Sequence, residues 1–181
     1  MRRLFFAVTP NDTDRARLAR VAAAIDWGNG RRVASENLHL TLLFIGNVDE
    51  RTVARLCSAA DSIAGRGFEL YLDASGWWRR GGIVWLAPTT IPLALLHLVE
   101  QLREHVAALA LPLDARPYRP HVTICRRAPA APAVSPAGAR WLLDKFSLLE
   151  SISAAAGVHY VAVRDWSLKP SREADTRQKF S

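Results

Sequence analysis

The succession of patterns along this chain occurs twice, and this repeat limits the possible folds more than any other feature. In the first half, an apolar segment that begins at Leu4 is followed by a helical pattern, a polar loop and His39-Leu40-Thr41. In the second half, an apolar segment that begins at Ile83 leads through the same succession to His121-Val122-Thr123. Matching order with near-matching spacing indicates an internal duplication, or at least a pseudo-twofold architecture. We therefore expect two lobes that face each other across a cleft.

A later pair of segments extends the comparison between the halves. Phe68-Glu69-Leu70 follows the first His-x-Thr triplet, and Phe146-Ser147-Leu148 follows the second at a similar distance. Both segments read as apolar strands. They are expected to be equivalent members of the two halves.

Hydrophobic periodicity predicts the remaining elements. It indicates helices at 13–25, 49–64 and 91–109, and strands at 4–8, 38–46, 68–72, 83–86, 121–125, 146–152 and 158–168. The last two strands are expected to pair with each other. Residues 77–82 are expected to form a hairpin tip or loop, and the proline-containing stretch 128–138 a surface loop.

The length of the chain sets the number of domains. At 181 residues and 20.0 kDa, it is long enough for one ordinary domain or for two small lobes that share a core. We expect a single bilobal domain over residues 1–181, with a first lobe at about 1–80 and a second at 81–168. This expectation leaves open that the last two strands, 146–152 and 158–168, cross between the lobes. Residues 169–181 are expected to form a loose polar tail.

The charge balance favours anionic partners. The formal net charge is +7, the sequence pI is about 10.2, and arginine supplies all but three of the 24 basic residues. Nucleic acid or nucleotide is the first partner class that this charge suggests, and an anionic membrane the second. A bias in genomic base composition would produce the same arginine excess, so charge alone does not decide between these explanations.

The cysteines and the first residues of the sequence indicate the cellular compartment in which the protein is expected. Cys57 and Cys125 are the two cysteines and form no CxxC pair, so neither a disulfide framework nor a structural zinc site is indicated. The apolar run after Arg3 ends within five residues at a turn sequence, too early for a signal peptide, and no stretch is long enough for a membrane helix. We expect a cytoplasmic monomer that does not contact membranes.

The two His-x-Thr triplets carry the chemical information. A strand places residues i and i+2 on one face, so His39 lies beside Thr41, and His121 beside Thr123. Random placement of the histidines and threonines in a chain of this length gives roughly 0.2 such triplets. Two of them at equivalent points of a repeat therefore favour a shared site over two structural histidines.

Two histidines suit acid–base chemistry on a phosphodiester. Hydrolysis of a cyclic phosphate needs one group to take a proton from water and another to protonate the leaving sugar oxygen. An unperturbed imidazole pKa of about 6.5 allows one neutral and one protonated histidine near neutral pH. Threonine hydroxyls can hold the non-bridging oxygens. This scheme requires neither a metal nor a cofactor.

Two other classes of function stay open from the residues alone. A noncatalytic nucleotide-binding or RNA-binding module could use the same basic cleft, although binding does not need two poised imidazoles. A histidine metal site is less favoured because neither triplet has a nearby carboxylate or third histidine.

Longer segments around these triplets resemble a known family. Arg3-Leu4-Phe5-Phe6-Ala7-Val8, the segment from Asn37 to Gly46 and the segment from Arg116 to Ile124 are similar to those of the 2H phosphoesterases. Within that superfamily they look like the RNA 2',3'-cyclic phosphodiesterases, also called the 2'-5' RNA ligase family. The resemblance extends over nearly the whole chain.

This resemblance implies an α+β fold, bilobal and pseudo-twofold, with two mainly antiparallel sheets, outer helices and a central cleft that carries both His-x-Thr strands. It implies that a 2',3'-cyclic phosphate end of RNA is opened to a 2'-phosphomonoester. His39 would be the proton donor to the leaving 3' oxygen and His121 the proton acceptor, while Thr41 and Thr123 would bind phosphate. The same residues could run the reverse, ligating reaction with a 5'-hydroxyl.

Other residues are weaker candidates for the site. Arg126 matches a basic position of the family's second motif, but its odd offset from His121 puts it on the opposite face unless the strand bulges or ends. Tyr118, and less so Trp77 and Trp78, could stack on a base, with packing as the alternative. The three other histidines are expected to be structural: His97, His105 and His159.

Overall fold

The structure contains the predicted helices and strands in their predicted order, together with three strands that the sequence analysis did not predict, at 31–32, 74–78 and 139–143. The computed structural model describes residues 1–26, 28–131, 138–155 and 157–170. The described helices are α1 (Asp12–Ala23), α2 (Glu50–Ala60) and α3 (Leu93–Ala107), with a short 3-10 helix at Ser35–Asn37. The strands are β1 (Arg2–Val8), β2 (Arg31–Arg32), β3 (Leu40–Val48), β4 (Phe68–Leu72), β5 (Ala74–Trp78), β6 (Ile83–Ala87), β7 (Val122–Arg126), β8 (Ala139–Leu143), β9 (Lys145–Ala154) and β10 (Gly157–Ser167).

The first two helices begin at polar caps. The Asn11 side chain accepts a hydrogen bond from the Asp14 backbone N–H at 2.8 Å, and Asp49 accepts one from Thr52 N–H at 2.8 Å. Such caps satisfy backbone donors that have no partner within the helix. All three predicted helices are confirmed, with somewhat shorter bounds. None of the helices in the described ranges is both long and apolar enough to span a bilayer.

Two sheets form the framework. The large sheet has the strand order β10-β9-β1-β3-β7-β6-β5, with β2 paired to β7, and the small sheet consists of β4 and β8. All pairings between these strands are antiparallel. The expected α+β fold with two mainly antiparallel sheets is therefore confirmed, as is the pairing of β9 with β10.

The two halves meet at the centre of the large sheet. Leu40 of β3 pairs with Val122 of β7, and both side chains are fully buried. Around this joint each half contributes a strand to the other, because β5 lies beside β6 and β9 lies beside β1. The division into lobes at about residue 80 stays a prediction.

Two sequence expectations about strands are wrong. Trp77 and Trp78 belong to β5 and not to a hairpin tip, which is formed instead by the residues up to Gly82. Phe68 lies in the small sheet, whereas Phe146 lies in the large one, so the two Phe-x-Leu segments are not equivalent. The partner of β4 is β8, whose alternately buried residues follow the proline-containing stretch directly.

The two irregular segments predicted near the end of the chain lie only partly within the described residues. Residues 132–137 of the expected loop and 171–181 of the expected tail lie outside the described residues. Lys169, assigned to the tail, belongs to the fold: its backbone N–H donates to Gly65 O at 2.9 Å, and its carbonyl accepts from Gly67 N–H at 2.7 Å.

Candidate active site

The joint between β3 and β7 places four polar side chains on one face: two threonines within the strands and two histidines immediately before them. Because Leu40 pairs antiparallel with Val122, His39 stands opposite Thr123, and Thr41 stands opposite His121. Leu40 and Val122 point into the core, so the flanking histidines and threonines point to the other side of the sheet. The structure thus brings the two predicted triplets together.

A cavity of about 670 Å³ opens beside this joint. Among the predicted site residues, His39, Thr41, Thr123 and Arg126 line it. Neither His121 nor Tyr118 is among its described lining residues. His121 borders the lined region from across the strand pair, opposite Thr41.

Backbone carbonyls orient both imidazoles in the same way. His39 Nδ1 lies 2.7 Å from the carbonyl oxygen of Asn37, and His121 Nδ1 lies 2.8 Å from that of Arg119. A carbonyl oxygen can only accept, so Nδ1 carries the proton in both rings. The Nε2 atom of each neutral ring can then accept a proton. Once protonated, the same atom can donate it.

Aromatic rings pack against both histidines. The His39 ring centroid lies 5.1 Å from that of Phe5 and 4.7 Å from that of Tyr160. The His121 ring meets Trp78 edge-on at 4.6 Å. Sequence reasoning missed Phe5 and Tyr160 as neighbours of the site. Phe5 follows from strand alternation once Leu4 is known to be buried, but nothing in the sequence indicates that β10 supplies Tyr160.

Burial lowers the pKa of both histidines. The pKa of His39 falls from 6.5 to about 4, chiefly because the ring is buried, and also because Arg126 and His121 lie near. The pKa of His121 is lowered by burial and by Arg126, against the opposing effect of the hydrogen bond that the ring donates to the Arg119 carbonyl. Both rings are therefore neutral near pH 7 in the unliganded protein.

A bulge returns Arg126 to the cavity face. Val84 pairs with Cys125 but Trp85 pairs with Thr123, so Ile124 is an extra residue in β7. The bulge reverses the alternation that would otherwise turn Arg126 away from His121. A similar bulge follows the first triplet.

The bulge in β3 affects the direction of Phe44. Phe6 pairs with Leu43 and Ala7 with Thr41, so Leu42 is the extra residue in β3. Phe44, which stands at the same offset from His39 as Arg126 from His121, also lines the cavity and is 46% exposed. The two halves thus present a cation and an aromatic ring at equivalent points. Neither bulge is readable from a single strand's sequence, because it depends on the register of both partners.

The aromatic candidates near the second triplet pack against protein. The hydroxyl of Tyr118 donates to the carbonyl of Thr41 at 3.2 Å, and burial raises its pKa. Trp77 Nε1 donates to the carbonyl of Ala128 at 3.3 Å, while Trp78 packs against His121 and Trp85. Tyr118 therefore supports β3, and its contact with a base stays a prediction.

The cavity wall is strongly basic. Five arginines line it, against a single described carboxylate, that of Glu36. The arginines are Arg3, Arg31, Arg32, Arg126 and Arg127. His159, expected to be structural, also reaches this wall with an exposed side chain. Within the described ranges no three His, Cys, Asp or Glu side chains cluster as metal ligands would.

Comparison with known proteins identifies the family. The family model described as LigT like Phosphoesterase matches residues 8–85. A curated relative from Escherichia coli (strain K12), RNA 2',3'-cyclic phosphodiesterase, is 36% identical over 141 residues, which are 77% of this chain and 80% of the relative. The chain belongs to the LigT-like phosphoesterase family.

Other relatives agree with this membership and confirm the resemblance to 2H phosphoesterases. An RNA 2',3'-cyclic phosphodiesterase from Thermus thermophilus is 30% identical over 180 residues, covering 92% of this chain and 90% of the relative. The crystal structure of E. coli LigT complexed with 3'-AMP superimposes with a TM-score of 0.84 at 34% identity, covering 92% of this chain and 98% of that one. This LigT-like phosphoesterase therefore shares its fold along nearly its full described length.

Proposed function

We propose that this LigT-like phosphoesterase is an RNA 2',3'-cyclic phosphodiesterase that opens the cyclic end to a 2'-phosphomonoester. The observation that carries the proposal is the antiparallel joint at Leu40 and Val122, which sets each histidine opposite the other half's threonine beside an arginine-lined cavity. The curated relatives that bear this enzyme name add support.

In this reaction water attacks phosphorus and the bond from phosphorus to the 3' oxygen breaks. His121 accepts a proton from the attacking water through Nε2, and His39 gives a proton from Nε2 to the leaving 3' oxygen. One proton is taken up and one is released, so the pair ends the turnover with its roles reversed and exchanges protons with solvent before the next. Thr41 and Thr123 donate hydrogen bonds to the non-bridging oxygens, and Arg126 offsets their charge.

The donor must gain its proton when substrate binds. In the unliganded protein the pKa of His39 is held near 4 by burial and by Arg126. A phosphodiester anion between the rings neutralises Arg126 and favours the imidazolium, so binding raises this pKa. The scheme therefore couples proton uptake to binding of the cyclic phosphate.

The same residues support the reverse reaction. A 5'-hydroxyl in the place of water would attack the cyclic phosphate and form a 2'-5' linkage, with the same proton transfers. The partner in either direction is RNA or a nucleotide with a 2',3'-cyclic phosphate end.

The assembly and the compartment are part of the same proposal. A monomer is supported by the outer face of the small sheet, where Tyr71 and Leu142 alternate with the ion-paired Glu69 and Arg140. On that face the exposed apolar side chains are interrupted by charged ones, whereas stable interfaces bury continuous apolar patches. A cytoplasmic location is supported by the two free cysteines, Cys57 and Cys125. Light scattering of the purified chain tests the monomer.

Product analysis with chelator-treated protein tests the activity. The substrate is an oligoribonucleotide that ends in a 2',3'-cyclic phosphate, and the 2'- and 3'-phosphate products are resolved. We expect the 2'-phosphate alone, with His39→Ala and His121→Ala each about 10²-fold slower or more. His97→Ala is the matched control, because His97 is exposed on α3, away from the cavity.

Each outcome of that experiment supports or contradicts one of the proposed functions or residue roles. Tight binding without turnover by the wild-type chain would replace the enzyme by a noncatalytic RNA-binding module. Formation of the 3'-phosphate would reverse the sides of donor and acceptor. Near-normal turnover by either histidine variant would remove that residue from the mechanism.

A further inference from the structure

The two strands that carry the His-x-Thr triplets are joined by little backbone pairing. Among the described residues, Leu40 and Val122 are the single pair between β3 and β7. Pro120, one residue before the second triplet, has no backbone N–H and so cannot donate to a continuation of this ladder. The spacing between Thr41 and His121 therefore depends also on contacts outside the ladder.

The side chain of Tyr118 makes such a contact. Its hydroxyl donates a hydrogen bond to the backbone carbonyl of Thr41 at 3.2 Å, and it comes from the segment that leads into β7. The residue is half-buried, and its ring packs against the main hydrophobic core. Burial raises the pKa of the phenol, so the hydroxyl keeps its proton and stays a donor at neutral pH.

The segment around Tyr118 is stiff enough to hold a fixed position. Pro117 precedes the tyrosine and Pro120 follows it two residues later. A proline fixes its own φ at about −65° and restricts the residue before it. Within this segment the carbonyl of Arg119 accepts the Nδ1–H of His121 at 2.8 Å. Tyr118 therefore connects the segment that orients His121 with the backbone of the threonine opposite.

The position of the Thr41 hydroxyl depends on that backbone. A donor stabilises a transition state only where its hydrogen bond meets the developing charge, and a misplacement of about 1 Å can cost about 10²-fold in rate. The Thr41 hydroxyl and the carbonyl that Tyr118 holds belong to the same residue. A shift of this carbonyl therefore moves the hydroxyl with it.

We propose that Tyr118 is a positioning residue, which sets the Thr41 hydroxyl for a non-bridging phosphate oxygen through its bond to the Thr41 carbonyl. This rests on the proposed function and adds a residue to it: the tyrosine hydroxyl acts on the reaction through Thr41. A tyrosine that stacks on a base would instead act through its ring.

Removal of the hydroxyl alone tests the proposal. Tyr118→Phe keeps the ring and its packing, so we expect the melting temperature to fall by no more than about 4 °C, the scale of one hydrogen bond. With an oligoribonucleotide that ends in a 2',3'-cyclic phosphate, we expect kcat to fall about tenfold and KM to change by less than about twofold.

Another tyrosine supplies the matched control. Tyr71 lies on β4 in the small sheet and is not among the described residues that line the cavity. Tyr71→Phe makes the same chemical change there and should leave kcat and KM unchanged. A similar loss of kcat in both variants would mean a general effect of the lost hydroxyl on the fold and would overturn the proposal.

The kinetic pattern also separates the hydroxyl of Tyr118 from its ring. If the ring stacked on a base, phenylalanine would stack as well. Tyr118→Phe would then keep a normal kcat and KM, while Tyr118→Leu would raise KM. This result would replace the positioning role by a base contact.

A double-mutant cycle tests whether the effect passes through Thr41. Once Thr41→Ala has removed the threonine hydroxyl, Tyr118→Phe should lower kcat further by less than about twofold, because the group that it positions is gone. In the Thr123→Ala background, Tyr118→Phe should retain its full loss of about tenfold. Equal losses in the two backgrounds would mean that Tyr118 does not act through the Thr41 hydroxyl, and the proposal would fail.

The wild-type chain distinguishes this proposal from the proposed function. Hydrolysis by the wild type, with an unchanged kcat in Tyr118→Phe, would refute the positioning role and leave the phosphodiesterase activity intact. Absence of hydrolysis by the wild type would refute the proposed function itself.

Discussion

The imidazole of His39 is largely buried, and this burial affects the stability of the fold as well as catalysis. Its pKa in the folded chain is about 4, whereas the unfolded chain has the ordinary value of 6.5. Between these values the unfolded state binds more protons, so the folded state loses stability as pH falls from 6.5 to 4. We expect His39 to account for up to about 3 kcal/mol of that loss. Urea unfolding at pH 7 and pH 4 measures it.

A substitution isolates the contribution of His39. His39→Gln should reduce the loss of unfolding free energy between pH 7 and pH 4, because glutamine does not titrate. His97→Gln, at an exposed position on α3, should leave the loss unchanged. An identical pH dependence in wild type and His39→Gln would contradict the low pKa.

The same pKa shifts set the pH dependence of catalysis. The profile of kcat/KM reports the free enzyme, in which one histidine must be protonated and the other neutral. The pKa values of both are lowered, that of His39 to about 4. We therefore expect a bell-shaped kcat/KM profile whose two limbs both lie below pH 6.5. The kcat profile should lie at higher pH, because bound phosphate favours the charged imidazole.

Stopped-flow or initial-rate measurements from pH 3.5 to 8 test this expectation. An alkaline limb of kcat/KM above pH 7 would mean that burial does not lower the pKa of both rings.

At the scale of elements, the bulge in β7 determines what Arg126 can do. Since Ile124 is the extra residue, Arg126 faces the histidines and lowers the pKa of both. Arg126→Gln should lower kcat/KM at least about tenfold through the lost charge on the phosphate. It should also move both limbs of the kcat/KM profile to higher pH, since a cation that opposes protonation is removed.

The shift of the pH profile distinguishes Arg126 from an arginine that only packs. Arg80→Gln, at an exposed position outside the cavity lining, is the control and should change neither kcat/KM nor the limbs. A tenfold loss with an unmoved pH profile would place Arg126 on the substrate but away from the histidines.

These strands also show which features of the fold and site can be predicted from the sequence. The His-x-Thr strands were predictable because alternation over three residues needs only local geometry. Face assignment beyond the triplets stayed conditional, since the bulges at Leu42 and Ile124 depend on pairing with β1 and β6. β8 was missed although Ala139, Trp141 and Leu143 are alternately buried, because the prolines before them favoured a loop. Tyr160 reaches His39 from a strand distant in sequence, and no local signal indicates such a contact.

At the scale of the whole molecule, each half of the repeat has a strand that lies beside a strand of the other half. β5, from the first half, forms the edge of the large sheet beside β6. β9, from the second half, is hydrogen-bonded to β1 within the same sheet. Phe5 and Ala7 of β1 pack against Leu149 of β9 in a small cluster apart from the main core. A chain cut after residue 80 would expose this cluster and leave β6 without its outer neighbour.

We therefore expect the fragment 1–80 to lack a cooperative unfolding transition by itself, because its β1 is left without the strand that completes its sheet. Mixing it with 81–181 should restore both cooperative melting and hydrolysis, since the two pieces carry complementary strands as well as one His-x-Thr triplet each. Circular dichroism melts of the separate and mixed fragments measure this. A cooperative transition in 1–80 alone would make the lobe an independent folding unit, and the exchanged strands would then stabilise the contact between lobes and not the lobes themselves.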